Sequence, residues 1–171
     1  MKMPADEILI RPLTPDDVQA YRALRLRGIK EAPQSFFTSY EAESSVPLTR
    51  MQQRLLQTRF QIVFGAFRQG WLVGMAAFKR EPIAVLHDRA TIWGVYVAPE
   101  ARGKNVARDL MSSALDYAAQ HPELRRVGLS VNGSNISAKM LYLRLGFVAP
   151  PEPAAGRGGA EDHLVYFLAP H

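Results

Sequence analysis

Residues 95–107 read VYVAPEARGKNVA, and they join an apolar run to the start of a long helix. The run before them, Ala90 to Val97 (ATIWGVYV), reads as a strand closed by Ala98-Pro99. After them, residues 105–120 place apolar side chains at 106, 107, 110, 111, 114, 115 and 118, the spacing of an amphipathic helix. The first N–H groups of a helix have no acceptor within it, and the dipole makes that end positive. An anion can dock there on backbone amides. Gly103 lets the chain approach such a ligand closely. Asn105 tolerates left-handed or cap geometry better than most residues, and Arg102 and Lys104 add positive charge. An ordinary capped helix with surface basic residues has the same features, so both readings stand. Neither GxxxxGK[ST] nor GxGxxG occurs.

Working outward, residues 7–11 (EILIR) form a first strand. Thr14, Pro15, Asp16 and Asp17 then make a helix start. Val18, Tyr21, Leu24 and Arg25 follow at helical spacing, and the helix fails between Gly28 and Pro33. A second helix begins at Pro47, with Leu48, Met51, Leu55 and Leu56 as its stripe. The stretch between these helices (PQSFFTSYEAESS) reads as loop. Residues 61–68 and 71–78 flank Gln69-Gly70 and predict a hairpin. Residues 126–131 form a strand, Ile136 to Leu145 a helix capped by Gly146, and residues 163–169 a last strand. Strands interrupted by helices predict one mixed sheet with helices packed on it, as a single domain over residues 1–171. Residues 150–162, with three prolines and the GRGG run, read as a loop.

The chain has 171 residues, about one domain's worth. Hydrophobic residues at 47% and charged residues at 22% place it among globular proteins and argue against wholesale disorder. There is no cysteine, which excludes disulfides, thiolate metal sites and a cysteine nucleophile. The N-terminal stretch MKMPADEILIRPLTPDD lacks a signal-like apolar core, and no bilayer-spanning run occurs. A cytoplasmic protein without a membrane partner is the expectation. The net charge of +5 suits an acidic partner, either nucleic acid or a small molecule carrying phosphates. No aromatic-basic recognition pattern supports nucleic acid. The histidines lack metal-ligand spacing, so no metal site is expected. Arg22, Arg25, Arg27 and Lys30, on or near the first helix, read as a solvated face.

Two stretches resemble the motifs of the GNAT N-acetyltransferase superfamily. Arg102, Gly103, Val106 and Ala107 match its R-G-x-G-x-[GA] turn, with Asn105 where glycine is usual. Residues 135–147 (NISAKMLYLRLGF) match its N-x-x-A-x-x-L-Y-x-x-x-G-F motif completely. The opening IRPLTPDD is also typical, and the resemblance covers nearly the whole chain. It implies an α/β (α+β) fold: a mixed, mostly antiparallel central sheet of about seven strands, with helices on both faces. It implies acetyl-CoA as co-substrate and an amine, small-molecule or peptide, as acceptor; a homodimer is a further expectation by resemblance.

By the same resemblance, residues Arg102, Gly103, Lys104, Asn105, Val106 and Ala107 hold the pyrophosphate. The backbone of Val95, Tyr96 and Val97 pairs with the pantetheine arm, beside an edge opened by a bulge for which Gly94 is the candidate. An N–H near Val97 faces the thioester oxygen. Asn135 is an N-cap, a neighbour of the cofactor arm, or both. Tyr142 is by default a core tyrosine; with the motif, it looks like the general acid that protonates the leaving thiolate. Many members carry a basic Glu on the strand before the turn, but Thr91 to Val95 holds no carboxylate. Nearby candidates are Glu81, Asp88 and His87, whose imidazole is the side-chain type with an ordinary pKa nearest neutrality, alongside a water chain or an amine arriving neutral. A catalytically silent CoA-binding module, a transferase using a longer acyl-CoA and a nucleic-acid-binding protein are the alternatives.

Overall fold

The computed structural model describes residues 7–152 and 161–169. The strands are β1 (Ile8–Pro12), β2 (Gln61–Arg68), β3 (Trp71–Arg80), β4 (Arg89–Val97), β5 (Arg126–Asn132) and β6 (Glu161–Phe167). The helices are α1 (Val18–Glu31), α2 (Tyr40–Ser44), α3 (Leu48–Arg54), α4 (Val106–Ala119) and α5 (Ile136–Leu145). The strands lie in chain order in one sheet, β1-β2-β3-β4-β5-β6. Every pairing is antiparallel except β4 with β5. The sheet thus has six strands among the described residues, where about seven were expected. In place of a further strand, Val148 makes an isolated bridge to Val165 on β6.

The hairpin turn Gln69-Gly70 takes positive φ at both residues, 52° and 81°. That twist matches the flanking strands, and glycine at the second position suits it. The stretch after α1 departs from the expected loop. Residues Pro33–Ser35 form a 3-10 turn and α2 follows, capped by the Ser39 side chain on the Ala42 N–H. The α3 stripe is only half buried. Met51 and Leu55 are enclosed, whereas Leu48 at the helix start and Leu56 beyond its end are exposed. Gly146 closes α5 in the left-handed region at φ 109°, and its N–H bonds Leu143 O and Tyr142 O. The residues of the GRGG run lie outside those described.

Each central strand is buried on both faces, so alternate residues feed two cores. Ile62, Phe64, Val73, Phe78, Ala90 and Ile92 join α4 residues Val106, Leu110, Met111 and Ala114 in one core. Val63, Phe67, Met75 and Ala77 join Tyr21, Leu24, Ile29 and Met51 from α1 and α3 in the other. Leu110 is fully enclosed, and one of its methyls lies 3.1 Å from where a Cβ on Gly74 would stand. Leu110→Ala therefore opens a cavity between helix and sheet. A loss of about 2–5 kcal/mol is expected in denaturant unfolding, with the fold retained.

Candidate functional site

The β3–β4 pairing slips in register where Met75 pairs with Tyr96 and Ala77 with Trp93. Gly94 and Val95 therefore oppose Ala76 alone, which is a β-bulge. Gly94 takes φ 62°, a conformation that suits glycine. The extra residue inverts the alternation. Ahead of the bulge, Ile92 faces the α4 core and Trp93 the α1 core. Beyond it, Val95 and Val97 face α4, whereas Tyr96 faces α1. Trp93 and Tyr96, three apart, thus share the α1 face.

On its other side β4 pairs with β5 only from Arg89 to Thr91, against Arg126 to Gly128. Past Thr91 the two strands splay, and β5 stays with β6 as far as Asn132. The edge of β4 from Ile92 to Val97 is left open on that side among the described residues. Its end leads through Pro99–Ala101 to the turn 102–105 and into α4.

That turn is built from left-handed backbone. Gly103 has φ 79°, and Asn105 has φ 63° as the N-cap of α4, without a side-chain cap bond. Asn105 thus adopts the backbone conformation for which glycine is usual, and its side chain leaves the helix amides uncapped. A Cβ built at Gly103 meets nothing within 4 Å, so the turn opens outward. Val106 is buried and anchors the helix start in the core.

Two ion pairs from α1 hold this turn. Arg27 donates two bonds of 2.7 Å to the Glu100 carboxylate, which lowers the pKa of Glu100 to about 2. The Glu31 carboxylate accepts from the Tyr96 hydroxyl at 2.6 Å and from Arg102 Nη2 at 2.7 Å. Both bonds hold Glu31 below the usual carboxylate range. Burial and the bond to Glu31 push Tyr96 up to about 12. Arg102 also donates from Nε to Val97 O at 3.1 Å. Its side chain therefore clamps the end of β4 rather than reaching past the turn. Neither Glu31 nor its partnership with Tyr96 was expected from sequence; nothing in the local pattern at the end of α1 signals it.

Asn135 caps α5 through its side chain on the Ala138 N–H at 3.3 Å, as a helix-start asparagine should. Its Nδ2 also reaches Ser35 Oγ at 3.4 Å, while Asn132 Nδ2 reaches Gln34 O at 3.3 Å. The turn after α1 thus meets the β5–α5 connection. Tyr142 is 7% exposed and sits in the α4-side core with Phe147, their ring centroids 6.0 Å apart. Burial alone pushes its phenol up to about 12.

The base candidates Glu81, His87 and Asp88 all precede β4. The Glu81 N–H bonds Arg89 O at the start of β4, and His87 is exposed, with Nδ1 2.7 Å from Ala84 O. Arg89 is five residues before Gly94, about 16 Å along a strand. Glu81 instead lines a cleft of about 310 Å³ with Arg126, Ser130 and His163.

The supposed solvated face of α1 needs correcting. Arg25 is 5% exposed, and its Nε donates to the buried Glu43 carboxylate. It stands seven residues after Val18 and so falls on the buried side of the helix, a signal available in the sequence. Arg22 bonds Ser44 O and Arg27 bonds Glu100, so neither is simply solvated.

The model of the acetyltransferase (GNAT) family matches residues 26–147. The chain belongs to the GNAT acetyltransferase family. Solved GNAT-like structures share its fold at low identity. A GNAT-family acetyltransferase from Streptococcus pneumoniae is 18% identical, with TM-score 0.81 over 95% of this chain and 100% of that one. The protein yncA from Salmonella typhimurium, solved with its cofactor acetyl-CoA, is 18% identical at TM-score 0.74, over 96% of each chain. The PaiA N-acetyltransferase from Thermoplasma acidophilum, in complex with coenzyme A, is 18% identical at TM-score 0.72, over 94% and 99%. No curated protein matches the chain in sequence. Among the described residues no helix is long and apolar enough to cross a membrane.

In this GNAT chain the left-handed residue at 105 is open to substitution by glycine but not by a β-branched residue. Asn105→Gly is expected to change thermal stability by less than about 1 kcal/mol. Asn105→Val should cost about 1–2 kcal/mol or more, because branching at Cβ crowds the left-handed backbone.

Proposed function

We propose that this chain transfers the acetyl group of acetyl-CoA to a primary amine by direct attack within a ternary complex. The observation that carries the reading is continuous: a β4 edge opened at the Gly94 bulge leads to left-handed turn residues and an uncapped helix start. A pantetheine arm would pair along Val95, Tyr96 and Val97. The amides of Gly103, Lys104, Asn105, Val106 and Ala107 would face the pyrophosphate, with the helix dipole favouring its charge. Two neighbours of the same fold were solved with acetyl-CoA or CoA, which supports the cofactor assignment.

In the proposed step the amine nitrogen bonds to the thioester carbon, and the N–H near Val97 steadies the oxyanion. The C–S bond then breaks, the sulfur takes a proton from the Tyr142 hydroxyl, and the phenol regains a proton from solvent before the next turnover. With a thiol pKa of about 8.5 below that of the phenol, the hydroxyl acts chiefly by hydrogen-bonding the departing sulfur. A phenol held near 12 stays protonated throughout the working range. The amine's own proton goes to solvent, since Glu81 and His87 lie at the far end of β4. Several basic side chains are engaged in ion pairs, among them Arg11 with Asp17, Arg80 with Glu123 and Arg126 with Glu152.

Calorimetry with acetyl-CoA should show one site per chain. Arg102→Glu should raise Kd at least about tenfold, by releasing the β4 end and placing two carboxylates together. Unchanged affinity would remove the turn from the cofactor site. Tyr142→Phe should lower kcat about 10²-fold with little change in acetyl-CoA affinity. In the wild type, kcat/KM should rise with pH as the amine deprotonates and show no falling limb below about pH 10. A limb near pH 8 would exclude Tyr142 as the acid. Tight binding without thiol release across an amine panel would favour a silent CoA-binding module.

A further inference from the structure

The chain carries a buried ion pair beside the bulge, Arg25 with Glu43, joined from the solvent side by the part-exposed Arg54. The Glu43 carboxylate is 3% exposed and accepts from Arg25 Nε and, at 2.9 Å, from Arg54 Nη1. Burial pushes this carboxyl up, but the two guanidinium bonds outweigh it and hold it low. Two cations thus meet one anion. The Tyr21 hydroxyl, fully buried beside them, lies against the Arg54 guanidinium and supplies no negative charge. Burial pushes that phenol up, so it stays neutral.

Arg25 is the cation aimed at the site. Its guanidinium lies 5.5 Å from the ring centres of Phe36 and Trp93 and 6.0 Å from that of Tyr21. Nε is turned to Glu43, while Nη1 lies 3.0 Å from where a Cβ on Gly94 would stand. The missing side chain at Gly94 is what lets the guanidinium reach the bulged backbone. Only Nε of Arg25 is given to Glu43, so its Nη groups remain toward the bulge, and the guanidinium fork fits a carboxylate.

From this juxtaposition we infer that Arg25 receives the carboxylate of the acceptor, and that the acceptor is a small amino acid whose amine lies within a few bonds of that group. The inference rests on the acetyl-transfer reading, since it places the amine beside the β4 edge that would hold the thioester. Arg54 and Glu43 are positioning residues. They fix the guanidinium's orientation, and Phe36 and Trp93 wall it from water.

Trp93 serves as the reporter. The chain has two tryptophans, and the other, Trp71, is 76% exposed, so Trp71→Phe leaves Trp93 as the lone tryptophan, read by selective excitation apart from the tyrosines. That protein, with CoA present, is titrated with the proteinogenic amino acids, β-alanine and the corresponding amino-acid amides. At least one free acid should change Trp93 emission saturably, its amide binding at least tenfold more weakly. Arg25→Gln should abolish the response while calorimetric CoA affinity is kept. Arg25→Lys, which keeps the charge but loses the fork, should bind the acid with intermediate affinity. A purely structural Arg25 would lower the melting temperature without moving the acid-to-amide ratio. Amides binding as well as acids, or no saturable acid in a protein that binds CoA, overturns the inference and leaves the transfer reading standing. Failure to bind CoA strikes the transfer reading instead, and the same titration without CoA still decides whether Arg25 takes a carboxylate.

Discussion

A single inserted residue organises this molecule. The bulge at Gly94 reverses the inward–outward order of β4, so Trp93 and Tyr96 share one face while Val95 and Val97 turn to the other. Without it, Tyr96 would point into the α4 core, and Glu31 would lose the hydroxyl that it accepts. Beyond the bulge β4 has parted from β5, so its edge groups lack a strand partner on that side. Unpaired backbone donors and acceptors must find partners elsewhere, and an extended amide-bearing arm is one chemistry that satisfies them.

The two ends of that edge are held by different means. At the far end α4 is packed through Val106, Leu110 and Met111 into the sheet, so the direction of its first N–H groups is set by a core rather than by the loop. The loop itself is tied to α1 by Arg27 with Glu100 and Arg102 with Glu31. These pairs are half exposed, and each contributes little stability alone. Their effect is geometric: they join the helix carrying Arg25 to the turn that begins α4. The turn proposed for the cofactor and the candidate acceptor wall are thereby one connected structure.

Much of this was legible in the sequence. The strand–turn–helix at 95–107, the Gly94 bulge, the Gln69-Gly70 turn and the Gly146 cap each follow from local backbone chemistry, which a sequence states directly. The second motif located α5 and Asn135 as its cap. The α1–α3 connection was not legible, because its short helix and 3-10 turn are stabilised by tertiary contacts. Phe36, read as part of a loop, stacks on Tyr96 at 5.6 Å. Arg25 was misjudged because charge outweighed spacing: an arginine seven residues after Val18 lies on the inner face, where only a distant partner such as Glu43 makes it tolerable. Base candidates chosen by closeness in sequence lie by the start of β4 rather than beside the bulge, since a strand carries its residues away at about 3.3 Å each.

The central claim is that the open edge of β4 and the turn at 102–107 together receive acetyl-CoA. Amide hydrogen exchange resolved by residue, with and without acetyl-CoA, tests it most directly. Slowed exchange concentrated in residues 95–97 and 103–107, with little change in β1 and β2, is the expected result. Saturating acetyl-CoA that leaves those amides unchanged, or protects a different surface, would contradict the claim.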